Sequence, residues 1–401
     1  MWVEALDFLD FFGTFCIKTK STKQISSDKV YLSHSISAHN KLSILIDFQI
    51  NTPHGRPRFK LTHYSLCLLA LFLTSCATTP GWEVQKSNTE AHFRAVHAVS
   101  RKVCWVGGTK GTFLKTLDGG KSWQTDTVRG AKALDFRDVH AFDSKTALVM
   151  SAGEAENGGA RIYKTVDGGQ SWNLVFETRR KGVFFDAMDF WDEQNGLVFS
   201  DSIDGKLFIL TTSDGGDSWQ EVPPSRIPDA KAGEGGFAAS GTCLIVEGKR
   251  NAWIGTTAGR VYASTDYGKT WRVTETPIKA GKTAGIFGLR FRDSQNGMAV
   301  GGDYQNVFDE SPNVMTTTDG GKNWQLVGKT NPIGLKEAVV LYDAKTWLAV
   351  GPSGTSYSTD FGQTWQKIDD SAFHSTSFAG KTGWAVGSKG LLAKFKGKIK
   401  P

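Results

Sequence analysis

Six copies of one short pattern, S/T-x-D-x-G-x-S/T-W, constrain this 401-residue chain more than any other feature. The first runs from Thr116 to Trp123, and the later ones begin at Thr165, Thr212, Ser264, Thr317 and Ser358. Their tryptophans, Trp123, Trp172, Trp219, Trp271, Trp324 and Trp365, recur every 41 to 53 residues. A period of that length marks an array of one supersecondary unit, so a single shared core is expected rather than two or three domains. Only the fifth copy departs, with Asn323 at the second hydroxyl position.

The pattern has the chemistry of a tight turn between two strands, in which an Asp accepts hydrogen bonds from the N–H groups of its own loop. Asp118, Asp167, Asp214, Asp266, Asp319 and Asp360 are therefore structural, because six copies imply one local job repeated six times. Within the turn the first glycine position becomes Tyr267 and Phe361, while the second never changes, so only the second is expected to need a positive φ. The Trp that follows opens the next strand and offers a large ring to bury.

A second signal, a strand ending in Gly or another small residue, occurs seven times: from Cys104, Ala147, Gly196, Ala252, Gly297, Trp347 and Gly383. Seven such strands meet only six Asp turns. The mismatch resolves at the ends, because Gly81-Trp82-Glu83-Val84 resembles the strand after each Asp turn and can complete a last unit built from residues 373 to 396. The expected fold is all-β: a seven-bladed β-propeller of four-stranded blades over 81–396, its ring closed by the N-terminal strand joining the C-terminal blade. With 45 Gly, 13 Trp and 25 Phe, the chain suits short strands and many turns.

Residues 1–55 show no repeat and no period, and read as an unstructured or mis-annotated extension. Residues 56–76 have the layout of a secretory signal: Arg56, Arg58 and Lys60, the apolar run Leu66 to Leu73, then Thr74-Ser75-Cys76. They resemble a bacterial lipoprotein signal, which implies export to the periplasmic or cell-envelope face and a lipid anchor on Cys76. Residues 77–80 would be a short tether and 397–401 a tail. A signal placed this late implies that translation begins near residues 55 to 61.

The six boxes resemble the Asp-box (BNR) repeats of sialidases, sortilin-type receptors and photosystem II stability/assembly factors, with the spacing, blade count and D-G-G-x-S-W spelling most like the last group. That resemblance implies a non-enzymatic propeller that holds a protein partner, such as a membrane protein, partly through arginines on one face. The sialidase resemblance implies the alternative, a glycoside hydrolase acting on carbohydrate, with three clustered arginines and a Tyr with a Glu partner. Ser225-Arg226-Ile227-Pro228 has the spelling of a sialidase arginine motif but follows the third box and reads as a turn. Tyr163, Tyr262 and Tyr357 fall at equivalent third-strand positions and read as packing.

The Asp turns lie on one face, so a binding surface is expected on the other, among the inter-blade loops and the turns between second and third strands. Candidates there are Arg129, Arg179, Arg180, Lys181, Arg226, Glu234, Lys282 and Tyr304, within a basic rim that also takes in Lys132, Lys231, Lys279, Lys329 and Lys336. The two longest turns, 151–160 and 301–313, carry Glu154, Glu156, Asp303 and Glu310, which match no calcium loop. Arg94, Arg137, Asp186 and His374 begin inner strands and are expected near the mouth of the central channel. The glycine-rich insertion 233–241 lacks the context of a dinucleotide fingerprint. No catalytic constellation, metal site or cofactor is expected. Eight of the 47 basic and five of the 40 acidic residues lie in 1–76, leaving 39 against 35, a bias too weak and dispersed for nucleic acid. Cys104 and Cys243 are expected as buried thiols, and the chain as a monomer.

Overall fold

The computed structural model describes residues 79–327 and 334–399. Residues 1–78 lie outside them, and with these the extension, the signal segment and Cys76; so does Lys329.

Seven four-stranded antiparallel sheets form the ring. Their innermost strands are Phe93–Ala98, Phe136–Ala141, Phe185–Phe190, Leu244–Glu247, Ala284–Phe291, Ala338–Leu341 and Phe373–Ala379, numbered here as blades one to seven. Blade seven takes its outer strand from Gly81–Val84, with Gly81 opposite Lys396 and Trp82 opposite Phe395. Trp82 is buried edge-on against Phe373, Phe378 and Phe395, and its indole N–H donates to Thr355 Oγ1 of blade six at 3.0 Å. Closure by the two ends thus follows the expected pairing.

Each Asp turn is a small hydrogen-bond circuit. In the second, the Thr165 hydroxyl donates to Asp167 Oδ1 at 2.9 Å and accepts the Gly169 N–H at 2.9 Å, while Ser171 gives its N–H and its hydroxyl to the two carboxylate oxygens. Asn323 fills the hydroxyl's role in the fifth turn, donating its amide to Asp319 at 2.7 Å. The two glycine positions correct the sequence reading, because both have positive φ, including Tyr267 at 64° and Phe361 at 60°. In the second turn a Cβ on Gly169 would stand 2.7 Å from the Phe113 ring and one on Gly168 would stand 2.9 Å from Lys115 Nζ, which is itself bonded to Gly168 O; in the third turn one on Gly215 would meet the Glu193 carbonyl oxygen at 2.6 Å, so space alone does not separate the two positions.

The Asp turns also tie neighbouring blades together. Lys394 of blade seven donates to Gly119 O, Lys115 of blade one to Gly168 O, and Arg272 of blade four to Gly320 O. Along the channel each inner strand leaves an edge of free N–H groups, a cost that polar side chains of the preceding blade remove. Ser377 accepts Ala98 N, His97 accepts Ala141 N, Asp138 accepts Met188 N and Asp189 accepts Val246 N. His97 and His140 stand edge to face at 4.4 Å, as equivalent repeat positions. Cys104 and Cys243 are buried and unpaired; Cys243 lies just before its strand, which begins at Leu244.

Candidate functional site

The face opposite the Asp turns is organised by the segment Gly233 to Thr242, which the glycine-rich insertion becomes. It leaves the outer edge of blade three, crosses the axis and enters blade four, lying over the channel mouth like a plug. It bonds or packs to every blade. Ala239 O and Ala238 O accept from Arg94 and Arg137 at 3.3 Å, Gly236 N donates to Asp186 at 3.1 Å, and Gly235 N to Thr257 at 3.2 Å. Phe237 stacks on Phe287 at 3.8 Å, the Ser240 hydroxyl donates to Glu337 O, and Ser375 donates to Ser240 O. Glycine is required by close approach: a Cβ on Gly241, at φ 75°, would lie 2.5 Å from Asp138 Oδ1.

Beneath the plug the carboxyl groups of the mouth are already engaged. Asp186 and Asp201 share a hydrogen bond; burial first and the Asp201 charge next raise Asp186 well above the usual range, and burial raises Asp201 to about 6 against the opposing pull of the Gly236 N–H. The pair therefore holds a proton near neutrality. Glu337 meets His374 Nδ1 at 2.7 Å, and His374 Nε2 reaches Ser388 at 2.9 Å. Burial pushes Asp138, which accepts two backbone N–H groups, up to about 7. All four residues expected at the mouth, Arg94, Arg137, Asp186 and His374, are there.

Two candidates stand elsewhere than expected. Glu234 is buried, not a face residue: it accepts the Thr256 hydroxyl at 2.7 Å and pairs with Arg260, because a carboxylate inside a blade must be met by a cation and donors. The Tyr262 hydroxyl lies 3.3 Å from it, a Tyr with a Glu partner. Burial, then the Glu234 charge, raise that phenol's proton affinity, the reverse of what a nucleophile needs. Arg226 leaves the rim for the outer edge, in the 3-10 turn Pro224–Arg226, where its carbonyl accepts the Trp271 N–H at the foot of the next blade. The sialidase arginine cluster does not assemble either, since Arg290 sits near the far end of its strand, opposite Met298, while Arg94 and Arg137 reach the plug.

On the rim, Arg129, Arg179, Arg180, Lys181 and Lys282 are exposed. Arg180 faces Glu221 at 3.0 Å and Asp204 at 3.5 Å, Lys231 faces Glu275 at 2.8 Å, and Lys279 faces Asp309 at 2.6 Å. The rim thus mixes ion-paired bases, Arg180, Lys231 and Lys279, with exposed Arg129, Arg179, Lys181 and Lys282. Lys336 belongs to the interior: it donates to Ser353 and to Gly354 O, and burial lowers it to about 7. Tyr304, 49% exposed, stands edge-on to Phe237 of the plug, with Phe308 exposed beside it in the same long turn. The plug, the Asp186–Asp201 pair and the Arg260–Glu234 pair were missed from sequence; the run of four glycines between 233 and 241 was their only local sign.

The BNR/Asp-box repeat model matches residues 356–367, which contain the sixth Asp turn. No curated protein sequence matches the chain. Among solved structures, YCF48 bound to D1 peptide is similar at a TM-score of 0.58 and 16% identity, covering 80% of this chain and 100% of that one. YCF48 from Cyanidioschyzon merolae matches at 0.58 and 15%, covering 79% and 98%. An ancestral GH74 enzyme matches at 0.56 and 15%, covering 78% of this chain and 46% of its own. The fold is thus similar to that of a protein solved with a bound peptide and to that of an enzyme.

Proposed function

We propose that this chain is an exported, non-catalytic propeller, anchored through lipid on Cys76, that holds a protein partner on the face opposite its Asp turns. One observation carries the reading: the plug fills the axial mouth where a hydrolase on this ring would need an open cleft, and the carboxyl groups beneath it are spent on one another, on His374 and on backbone N–H groups. Arg94 and Arg137, side chains 27% and 30% exposed on adjacent blades, flank the plug; Arg94 lies 3.8 Å from Glu337 and Arg137 2.8 Å from Asp135, and their remaining guanidinium edges face an acidic segment or chain-terminal carboxylate of the partner. The exposed Tyr304 and Phe308 add an apolar anchor beside them. The structural likeness to YCF48 with a bound peptide supports a peptide-holding role on this fold; a photosystem-assembly role is the finer form of the same proposal.

The test is capture of membrane proteins on immobilised wild-type chain, beside a charge-reversed Arg179→Glu, Arg180→Glu, Lys181→Glu variant and an Arg94→Gln, Arg137→Gln variant. Wild type should enrich a partner, with both variants weakened most at low salt. Equal recovery by all three proteins overturns the assignment of this face. The alternative, a glycoside hydrolase, rests on the GH74 likeness and on the proximity of Asp186 and Asp201. Turnover of a glycan panel that disappears in Asp186→Asn would establish it in place of the scaffold. Intact mass of membrane-extracted protein should show a chain beginning at lipid-bearing Cys76, and retention of residues 1–55 would remove the anchor.

A further inference from the structure

The Asp-turn face is not uniform, and its asymmetry coincides with where the chain enters the ring. Gly81 pairs with Lys396 at the foot of blade seven, the place that Ser122 holds beside the first Asp turn, so the chain arrives on this face. In four of the six turns the residue after the first hydroxyl is Ser213, Thr265, Thr318 or Thr359. In the first two it is Leu117 and Val166, which stand 51% and 60% exposed on neighbouring blades. A solvent-facing turn position that is polar four times and apolar twice is not explained by the turn itself.

Around these two side chains lie Arg101, Lys102, Lys121, Lys145, Lys381 and Lys398, all exposed, from blades seven, one and two. Arg101, Lys102 and Lys145 belong to the turns between first and second strands, whose carbonyls accept the Gly119 and Gly168 N–H groups, so both kinds of turn share one surface. Three acids of this sector are turned inward on their own loops: Asp118 takes the Ser122 N–H and hydroxyl, Asp167 those of Ser171, and Asp143 the N–H groups of Lys145 and Thr146, while Glu83 stands exposed beside Lys121 in the cleft between blades seven and one. On the same face blade three carries exposed Asp192, Glu193 and Asp217, and blade four carries exposed Lys249, Arg250 and Lys269 beside Thr265, so it is bases together with the apolar pair that set this sector apart.

We infer that the sector formed by blades seven, one and two of the Asp-turn face lies on a bilayer surface bearing anionic headgroups, its bases among the headgroups and Leu117 and Val166 dipping below them. Basic side chains around a small apolar pair are the charge and hydropathy complement of such an interface. The orientation rests in part on the anchor proposed above: Gly81 follows Cys76 by five residues, a reach of at most about 18 Å when extended, which brings this face and not the plugged one to the membrane. The partner-holding face then points away from the bilayer that anchors the chain.

Every strand of the ring comes from residues 81–396 and its two ends pair with each other, so a chain starting at Thr79 contains the whole fold and no lipid. Flotation of that chain with vesicles of equal parts phosphatidylcholine and phosphatidylglycerol, and with phosphatidylcholine alone, measures the surface without the anchor. Binding should be confined to the anionic vesicles and should weaken with salt. It should fall about a hundredfold in Arg101→Gln, Lys102→Gln, Lys121→Gln, at roughly fivefold for each base near the surface. Leu117→Ser with Val166→Thr, which restores the residue types of the other turns, should lower it about tenfold at an unchanged melting temperature. Absence of binding to anionic vesicles, equal binding to both kinds, or an equal loss on charge reversal at Arg179 and Lys181 overturns the inference. None of these results depends on Cys76, so a failed anchor and a failed surface are told apart.

Discussion

The unit of this protein is a side-chain circuit of four residues, and its energetics follow from which members are buried. Thr165 is fully buried, so Thr165→Val leaves the Gly169 N–H without an acceptor and should cost about 1–3 kcal/mol in denaturant unfolding. Gly169→Ala must hold φ near 86° against the Phe113 ring and should cost more than about 2 kcal/mol; Gly168→Ala must hold φ near 79° and disturb the Lys115 bond to Gly168 O, and should cost about 1–2 kcal/mol. Hydrogen bonds from Ser171, its hydroxyl first, hold Asp167 down to about 2, below the ordinary 3.8. A depressed carboxyl stabilises the fold above its unfolded value and loses that contribution as pH falls, so the melting temperature should drop between about pH 4 and pH 2. The invariance of the second glycine was legible from comparing copies. What stands over it, Phe113 in the second turn and Leu148 in the third, was not, since those contacts come from a neighbouring blade.

At the scale of elements, strand count and closure were legible because each blade repeats the same signals, so a missing Asp turn pointed to the chain end that replaces it. The box tryptophans were less uniform than their spacing implied. Trp219, Trp271 and Trp324 are buried, but Trp172 is half-buried, edge-on to Trp105 and Phe113. Trp172→Ala should therefore cost about 2 kcal/mol, below the roughly 3–5 kcal/mol of a core aromatic, and Trp82→Ala should reach that larger figure because it also removes the bond from the closing strand to Thr355 of blade six. Chemical denaturation of the two variants beside wild type measures the difference. Equal costs would show that closure adds nothing beyond ordinary packing.

For the whole molecule, the decisive element is the one that obeys no repeat. The plug meets residues as far apart as Arg94 and Ser375, and its docking surface exists only once seven blades have closed, so its glycines mark a close approach without telling what is approached. Its hold on blade three is titratable. Asp186 and Asp201 carry folded proton affinities raised above the ordinary 3.8, Asp201 to about 6: burial acts first on both, the Asp201 charge comes next for Asp186 and the Glu154 charge adds for Asp201, while the Gly236 N–H pulls each the other way. A carboxyl raised on folding is held protonated while the unfolded chain has already lost its proton. Stability from the pair is therefore full below about pH 4 and declines as pH climbs through about 6. Arg137, His374, Glu337 and Asp138 also face the plug, and of these Asp138, raised to about 7, acts in the same direction. Amide exchange across residues 233–242, corrected for intrinsic rates, should thus be faster at about pH 8 than at about pH 5 while the outer strands stay unchanged. Asp201→Asn, which keeps a partner for Asp186 without a second charge, should remove most of that difference. A plug equally protected at both pH values would mean that its seven-sided contacts, and not the shared proton, hold it in place.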